Sequence, residues 1–264
     1  MISKKEIYPG INVYSNCFKN PELFLKKAIS LDGWENWSIF GKMLSLKIET
    51  KKFNDFPKKE QWKDLLRFNK NNGAKELIIE LDDIFYDVTK DYIEQNNIKS
   101  NNFIYKSPSV NEYLENVEHF PGYSMHFHTD FNEWDKESPG DKFFLTVTSY
   151  LNDDYQGGEI CFFVDKKLIS YKPKAGEVIV FPSNFPYLHG VRTSLGNKRY
   201  MIRQFWYYNQ KASEKWEKNN NLYGEEVWAK MEEERIAKER SEDTSDKKTI
   251  KLMLKLTEEV FGKK

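Results

Sequence analysis

Between Val110 and Tyr208 the chain is cut into short runs of β-favouring residues, Phe143 to Leu151, Glu159 to Val164, Glu177 to Phe181 and Arg199 to Tyr208. The punctuation is Pro121-Gly122, Pro139-Gly140, Gly157-Gly158, Ala175-Gly176 and Gly196-Asn197. Gly and Pro supply backbone angles that strands and helices avoid, so these pairs end one element and start the next. Strands this short, joined by turns this tight, predict an antiparallel sandwich or barrel.

The flanking segments have a different texture. Residues 1–109 read as a helical support region. Asn20-Pro21-Glu22 opens a helix with a capping side chain, a first-turn proline and a favourably placed acid, and Leu23, Phe24, Ala28 and Leu31 continue it towards Asp32-Gly33. After Asn72-Gly73, the residues Leu77, Leu81, Ile84, Phe85, Val88 and Tyr92 fall on one stripe of a second helix ending near Asn96-Asn97. Trp34 to Lys70 carries no assignable pattern. Residues 209–264 read as a charged helical extension, densest at Glu232-Glu233-Glu234-Arg235 and Lys238-Glu239-Arg240. Ile250, Met253, Leu254, Val260 and Phe261 make an apolar face there that must pack on the domain or on a partner chain, which makes a homodimer through these helices the candidate assembly.

Charge and cysteine content narrow the function. Lys plus Arg number 41 against 41 Asp plus Glu, and no basic stripe marks the β region, so nucleic acid is not the expected partner. Cys17 and Cys161 stand far apart in no metal-binding spacing, and neither a secretory leader nor a membrane-spanning apolar run is visible. The expectation is a cytoplasmic protein with no membrane partner.

The chain has 4 histidines, His119, His126, His128 and His189. In Met125-His126-Phe127-His128-Thr129-Asp130, read as a strand, His128 and Asp130 point to one face. His189 lies late in the β region, where an antiparallel barrel can bring it alongside. Two imidazoles and one carboxylate on one face of an octahedron leave coordination positions open, as in non-haem Fe(II) oxygenases. Arg199 lies about ten residues further on, and its fork of donors suits the distal carboxylate of a dicarboxylate co-substrate as well as an ordinary edge-strand salt bridge.

Taken in series, Pro121-Gly122, Met125, His128-x-Asp130, Tyr150-Leu151-Asn152-Asp153, Gly157-Gly158-Glu159, Pro173 to Glu177, Val180-Phe181-Pro182, His189-Gly190-Val191 and Gly196 to Tyr200 resemble the catalytic domain of prolyl 4-hydroxylase-type 2-oxoglutarate- and Fe(II)-dependent oxygenases. The resemblance spans Asn111 to Tyr208. It implies a mainly β chain with flanking helices: a double-stranded β-helix (jelly-roll, cupin-like) core over 110–208, with Fe(II) held by His128, Asp130 and His189. It further implies 2-oxoglutarate on Arg199 with help from Tyr150, O2 as co-reactant and ascorbate as candidate reductant. Many collagen-type members carry Lys where Arg199 stands, which leaves the subgroup open. Lys198 points to the opposite strand face and is the weaker anchor.

His126 shares the face of His128 on a regular strand, as a substrate-facing or a surface group. Arg203 and Phe205 share the face of Arg199 and project towards the barrel mouth. Trp134 sits in the polar loop from Phe131 to Asp141, where barrel-rim loops clasp substrates. The implied reaction is hydroxylation of an unactivated C–H bond, first of a prolyl residue in a peptide or protein. The alternative is a free amino acid or other small molecule. A non-catalytic cupin-like metal-binding module is the reading from another class.

Overall fold

The computed structural model describes residues 2–37, 41–45, 52–53, 75–98, 103–105, 108–130, 141–184 and 186–209, all within the compact unit Met1–Asn209. Trp134, the Pro139-Gly140 turn and the predicted charged helical extension beyond Asn209 lie outside the described residues.

The elements run β1 (Ser3–Tyr8), β2 (Ile11–Ser15), α1 (Pro21–Ile29), β3 (Trp34–Trp37), β4 (Gly41–Ser45), β5 (Lys52–Phe53), α2 (Lys75–Gln95) and β6 (Phe103–Tyr105). Then come β7 (Ser109–Tyr113), β8 (Tyr123–His128), β9 (Asp141–Tyr150), β10 (Gln156–Gly157), β11 (Ile160–Val164), β12 (Lys167–Tyr171), β13 (Val178–Pro182), β14 (Leu188–Arg192), β15 (Ser194–Leu195) and β16 (Arg199–Asn209). The protein is mostly β. A large sheet has the order β1-β2-β13-β9-β16-β7-β4-β3, with β5 and β6 attached beside β16, and a smaller one has the order β12-β11-β14-β8. Both are antiparallel throughout, a jelly-roll arrangement.

Alternation along the strands builds two cores. From the large sheet Ile179 and Phe181 of β13, Tyr150 of β9 and Met201 of β16 turn inwards to meet Ile160, Phe162 and Val164 of the small sheet. The residues between them, Val178, Val180, Val147, Ile202 and Trp206, turn to the outer face and pack with Phe24 and Ala28 of α1 and with the α2 stripe. That stripe is Leu77, Leu81, Ile84, Phe85, Val88 and Tyr92, all buried. Each such side chain contributes about 1.5–3 kcal/mol by leaving water. Asn20 caps α1, its side chain accepting from Leu23 N at 2.9 Å. The Tyr14 hydroxyl donates to Asp91 and the Tyr92 hydroxyl to the Gly10 carbonyl, which pins α2 to β2 and the turn before it.

The described part of the first hundred residues is helix and strand together, where the sequence reading expected helices. It supplies β1 to β5, and β2 pairs directly with β13, in register Ile179 to Val13. The strand β1 carries Lys4, Lys5 and Glu6 on an exposed edge and shows no apolar alternation, so its extended form comes from pairing with β2.

Gly190 sets the spacing between β14 and β8. A Cβ there would lie 3.0 Å from the Met125 carbonyl oxygen and 3.3 Å from backbone atoms of His126 and Phe127. Gly190→Ala is therefore expected to cost about 1–3 kcal/mol of stability in denaturant unfolding, because backbone cannot yield as a flexible side chain does.

Candidate functional site

The site forms where β14 pairs β8. His189 lies opposite His128, yet Val191 lies opposite Met125, so three steps along β8 answer two along β14. This bulge inserts one extra residue into β8 and reverses the facing of the residues on one side of it relative to the other. Met125 and His128 consequently both line the inner pocket, although an odd number of steps separates them, and His126 is exposed outside. His126 does not line that pocket, although its ring centre lies 5.8 Å from that of His128. Asp130 stands just beyond the end of β8 rather than within it.

The three side chains converge. Ligand atoms of His128, Asp130 and His189 all lie within 4.8 Å of one another. His128 Nε2 is 3.5 Å from Asp130 Oδ1, and His189 Nε2 is 3.3 Å from Asp130 Oδ2. Both Nδ1 atoms face backbone carbonyls, that of His126 at 2.8 Å and that of Tyr187 at 3.3 Å. A carbonyl only accepts, so each Nδ1 carries a proton; each Nε2 faces Asp130, donating to it when the ring is charged and offering its lone pair to a metal when the ring is neutral. Thr146 donates to Asp130 Oδ2 at 2.8 Å and exchanges a 2.7 Å bond with Ser183. Phe181 packs edge-on against the His189 ring. His189 is 6% exposed through its side chain but His128 is 26%, so the group opens on the His128 side.

Charge is balanced within the group. Burial works against ionisation of Asp130, yet the His189 and His128 imidazoles outweigh it and hold the carboxyl well below its usual range. Burial likewise opposes protonation of His128, but the hydrogen bond and charge of Asp130 prevail and raise it.

Arg199 opens β16 opposite Tyr113 and is 0% exposed. Its Nη1 donates to the weakly accepting Met201 sulfur at 3.3 Å, and its guanidinium carbon lies 4.0 Å from the Tyr113 ring centre. Its Nε and Nη2 are buried with no hydrogen-bond partner among the described residues. Gly158 lies beside Arg199 and makes room for the Tyr155 ring, which a Cβ there would strike. The Tyr150 and Tyr155 hydroxyls are also buried without a hydrogen bond of ordinary geometry. Burial raises the Tyr150 phenol to about 12 against the pull of Arg199, so it is a donor at neutral pH. Lys198 instead pairs with Glu112 at 3.3 Å on the outer side.

The pocket between the sheets is lined by His128, Asp130, His189, Tyr150, Met201 and Arg203 among others. The half-buried Arg203 lies 5.1 Å from the Phe205 ring centre. Three donors of the right type and tautomer fit a divalent metal, and the orphaned guanidinium fits a carboxylate.

Residues 109–208 match the family model of the 2OG-Fe(II) oxygenase superfamily. Over that segment the chain is similar to that superfamily. The fold of the oxygenase domain recurs in a prolyl hydroxylase from Trichoplax adhaerens, solved in complex with a hypoxia inducible factor oxygen degradation domain peptide fragment. That structure has TM-score 0.51 and 17% identity, with 76% of this chain and 84% of that one covered. It recurs too in an oxidoreductase of the 2OG-Fe(II) oxygenase family from Burkholderia pseudomallei, with TM-score 0.50, 16% identity and coverage of 76% and 86%. At such identities the likeness establishes the fold. No curated protein matches the chain in sequence. The superfamily implies Fe(II) and 2-oxoglutarate as its reagents.

Thr146, which holds Asp130, Ser183 behind it, and Tyr113, which stacks on Arg199, escape the sequence reading. Thr146 was within reach, because Thr146, Thr148 and Tyr150 alternate on one face of β9. Ser183 and Tyr113 carry no such signal. Thr146→Val is expected to lower divalent metal affinity by about 10–100-fold, the usual cost of losing a partner behind a ligand, as read by Mn(II) titration. Metal must displace a proton from His128, whose pKa is raised above 6.5. Mn(II) affinity should therefore fall as pH drops through a midpoint above the ordinary histidine value, and Asp130→Asn should weaken binding and move that midpoint to lower pH.

Proposed function

We propose that the chain is a 2-oxoglutarate- and Fe(II)-dependent dioxygenase that hydroxylates an unactivated C–H bond of a prolyl residue in a peptide or protein. The observation that carries the cofactor reading is the pairing, in one barrel, of the His128, Asp130 and His189 donors with a buried guanidinium that has no acid partner. Iron, when bound with 2-oxoglutarate, supplies the oxidative chemistry by which O2 yields succinate, CO2 and a hydroxylated product.

The remaining work falls to side chains. His128, Asp130 and His189 would hold the metal, with the Nδ1–H bonds to the His126 and Tyr187 carbonyls fixing ring orientation and Thr146 fixing the carboxylate. Arg199 would bind the distal carboxylate of 2-oxoglutarate, with the Tyr150 hydroxyl as a second donor. Ile160, Phe162 and Phe181 keep bulk water from the inner end of the pocket. Substrate would approach over His128, the more exposed ligand. Among the described residues no helix is long and apolar enough to cross a membrane.

The prolyl substrate rests on the prolyl 4-hydroxylase-type motif series and on the peptide bound by the Trichoplax adhaerens relative of like fold. One observation favours a second reading. Arg203 lines the same pocket as the metal-binding set, where it would attract a carboxylate carried by a free amino acid or other small molecule.

Incubation with proline-containing peptides and, separately, with free amino acids distinguishes the two. The expected outcome is a mass gain of one oxygen on a peptide, coupled to succinate release. Gain confined to free amino acids would favour the Arg203 reading, and absence of succinate with every substrate would favour the cupin-like module. Arg199→Ala is expected to weaken 2-oxoglutarate binding to the metal-loaded protein by about 2–5 kcal/mol, and Tyr150→Phe by less.

A further inference from the structure

All 4 histidines of the chain stand in one row. Ring centres are 5.0 Å apart between His119 and His126, 5.8 Å between His126 and His128, and 4.5 Å between His128 and His189. The inner two belong to the site described above. The outer two are exposed, and their Nδ1 atoms lie 3.0 Å apart.

Two separate features of the backbone bring them together. His119 is held by the turn into β8, where the Tyr123 carbonyl accepts from His119 N at 3.0 Å and from Phe120 N at 3.1 Å. His126 stands exposed on β8 where the register shifts. A hydrogen bond between two exposed imidazoles competes with water and does little for the fold, so the pairing calls for another account. For bonds of 2.0–2.1 Å to a metal, two nitrogens 3.0 Å apart subtend an angle of about 90°. That is the cis angle of octahedral and square-planar coordination, which Ni(II) and Cu(II) favour with imidazole ligands.

We propose that His119 and His126 form a second divalent transition-metal site at the rim of the pocket, binding Cu(II) or Ni(II) through their Nδ1 atoms, with water completing the shell. Small rotations of two exposed rings bring both lone pairs onto one ion. The site shares no ligand with the His128, Asp130 and His189 group, and it takes a softer class of ion than a site containing a carboxylate. Occupancy would clip the His119 turn to β8 beside the exposed edge of His128.

The test is Ni(II) stoichiometry on the purified full-length chain, read by competition with a chromophoric chelator. Wild type is expected to bind one equivalent more than either His119→Ala or His126→Ala. Both variants keep the backbone, including the His126 carbonyl that accepts from His128. In a His189→Ala background, or in Asp130→Ala, the outer site should remain, and Cu(II) loaded there should give an electron paramagnetic resonance spectrum with coupling to two imidazole nitrogens that His119→Ala removes. Equal stoichiometry in wild type and both outer variants would overturn the proposal. Loss of the inner equivalent alone in His189→Ala bears on the iron reading, so the two claims fail separately.

Discussion

A guanidinium sealed inside a protein must find an anion, or its dehydration costs the fold several kcal/mol. Arg199 is fully buried, and the described structure gives it a tyrosine face and a sulfur but no acid. Those contacts are soft; a cation over an aromatic ring recovers about 0.5–2 kcal/mol. The barrel is thus electrostatically incomplete at its inner end, and a dicarboxylate bound there would complete it. Towards the mouth the balance is reversed, because Asp130 is surrounded by two imidazoles that stabilise its charge and whose lone pairs suit a cation.

The topology holds these two ends in one space. β16 carries Arg199, Met201 and Arg203 along its inner face, in register with Tyr113 of β7 on one side and Tyr150 and Thr148 of β9 on the other. The small sheet closes over them, and the β14–β8 pairing sets His189 against His128. Gly190 allows that approach, and the bulge in β8 lets Met125 and His128 both face the pocket. On the far face α1 and α2 cover the large sheet, so the strands that carry the pocket are packed on both sides.

The parts legible in the sequence are those governed by short-range rules. Period-two alternation and glycine turns located β9, β11, β13 and β16 to within a residue or two, and the same alternation placed Arg199 and Arg203 on one face. The stripe from Leu77 to Tyr92 and the Asn20-Pro21 start located α2 and α1. The convergence of His128, Asp130 and His189 was legible only through a series of motifs, since no local rule brings positions so far apart together. The bulge in β8 was not legible, because a bulge leaves no mark in the periodicity of a single strand. β1 was missed because an edge strand can be polar on both faces and take its shape from its neighbour.

What the pocket accepts depends on charge as much as shape. Arg203 places a cation beside the His128 mouth, and Tyr150 and Tyr155 add buried donors deeper in, so anionic groups find partners at both depths. The central claim is that one barrel binds metal at its mouth and a dicarboxylate at its inner end. The direct measurement is an anaerobic crystal structure of the full chain with Fe(II) and 2-oxoglutarate. The account predicts iron bound by His128, Asp130 and His189 together, with the free carboxylate of 2-oxoglutarate on the Arg199 guanidinium. Iron elsewhere, or a co-substrate that leaves Arg199 without an anion, would contradict it.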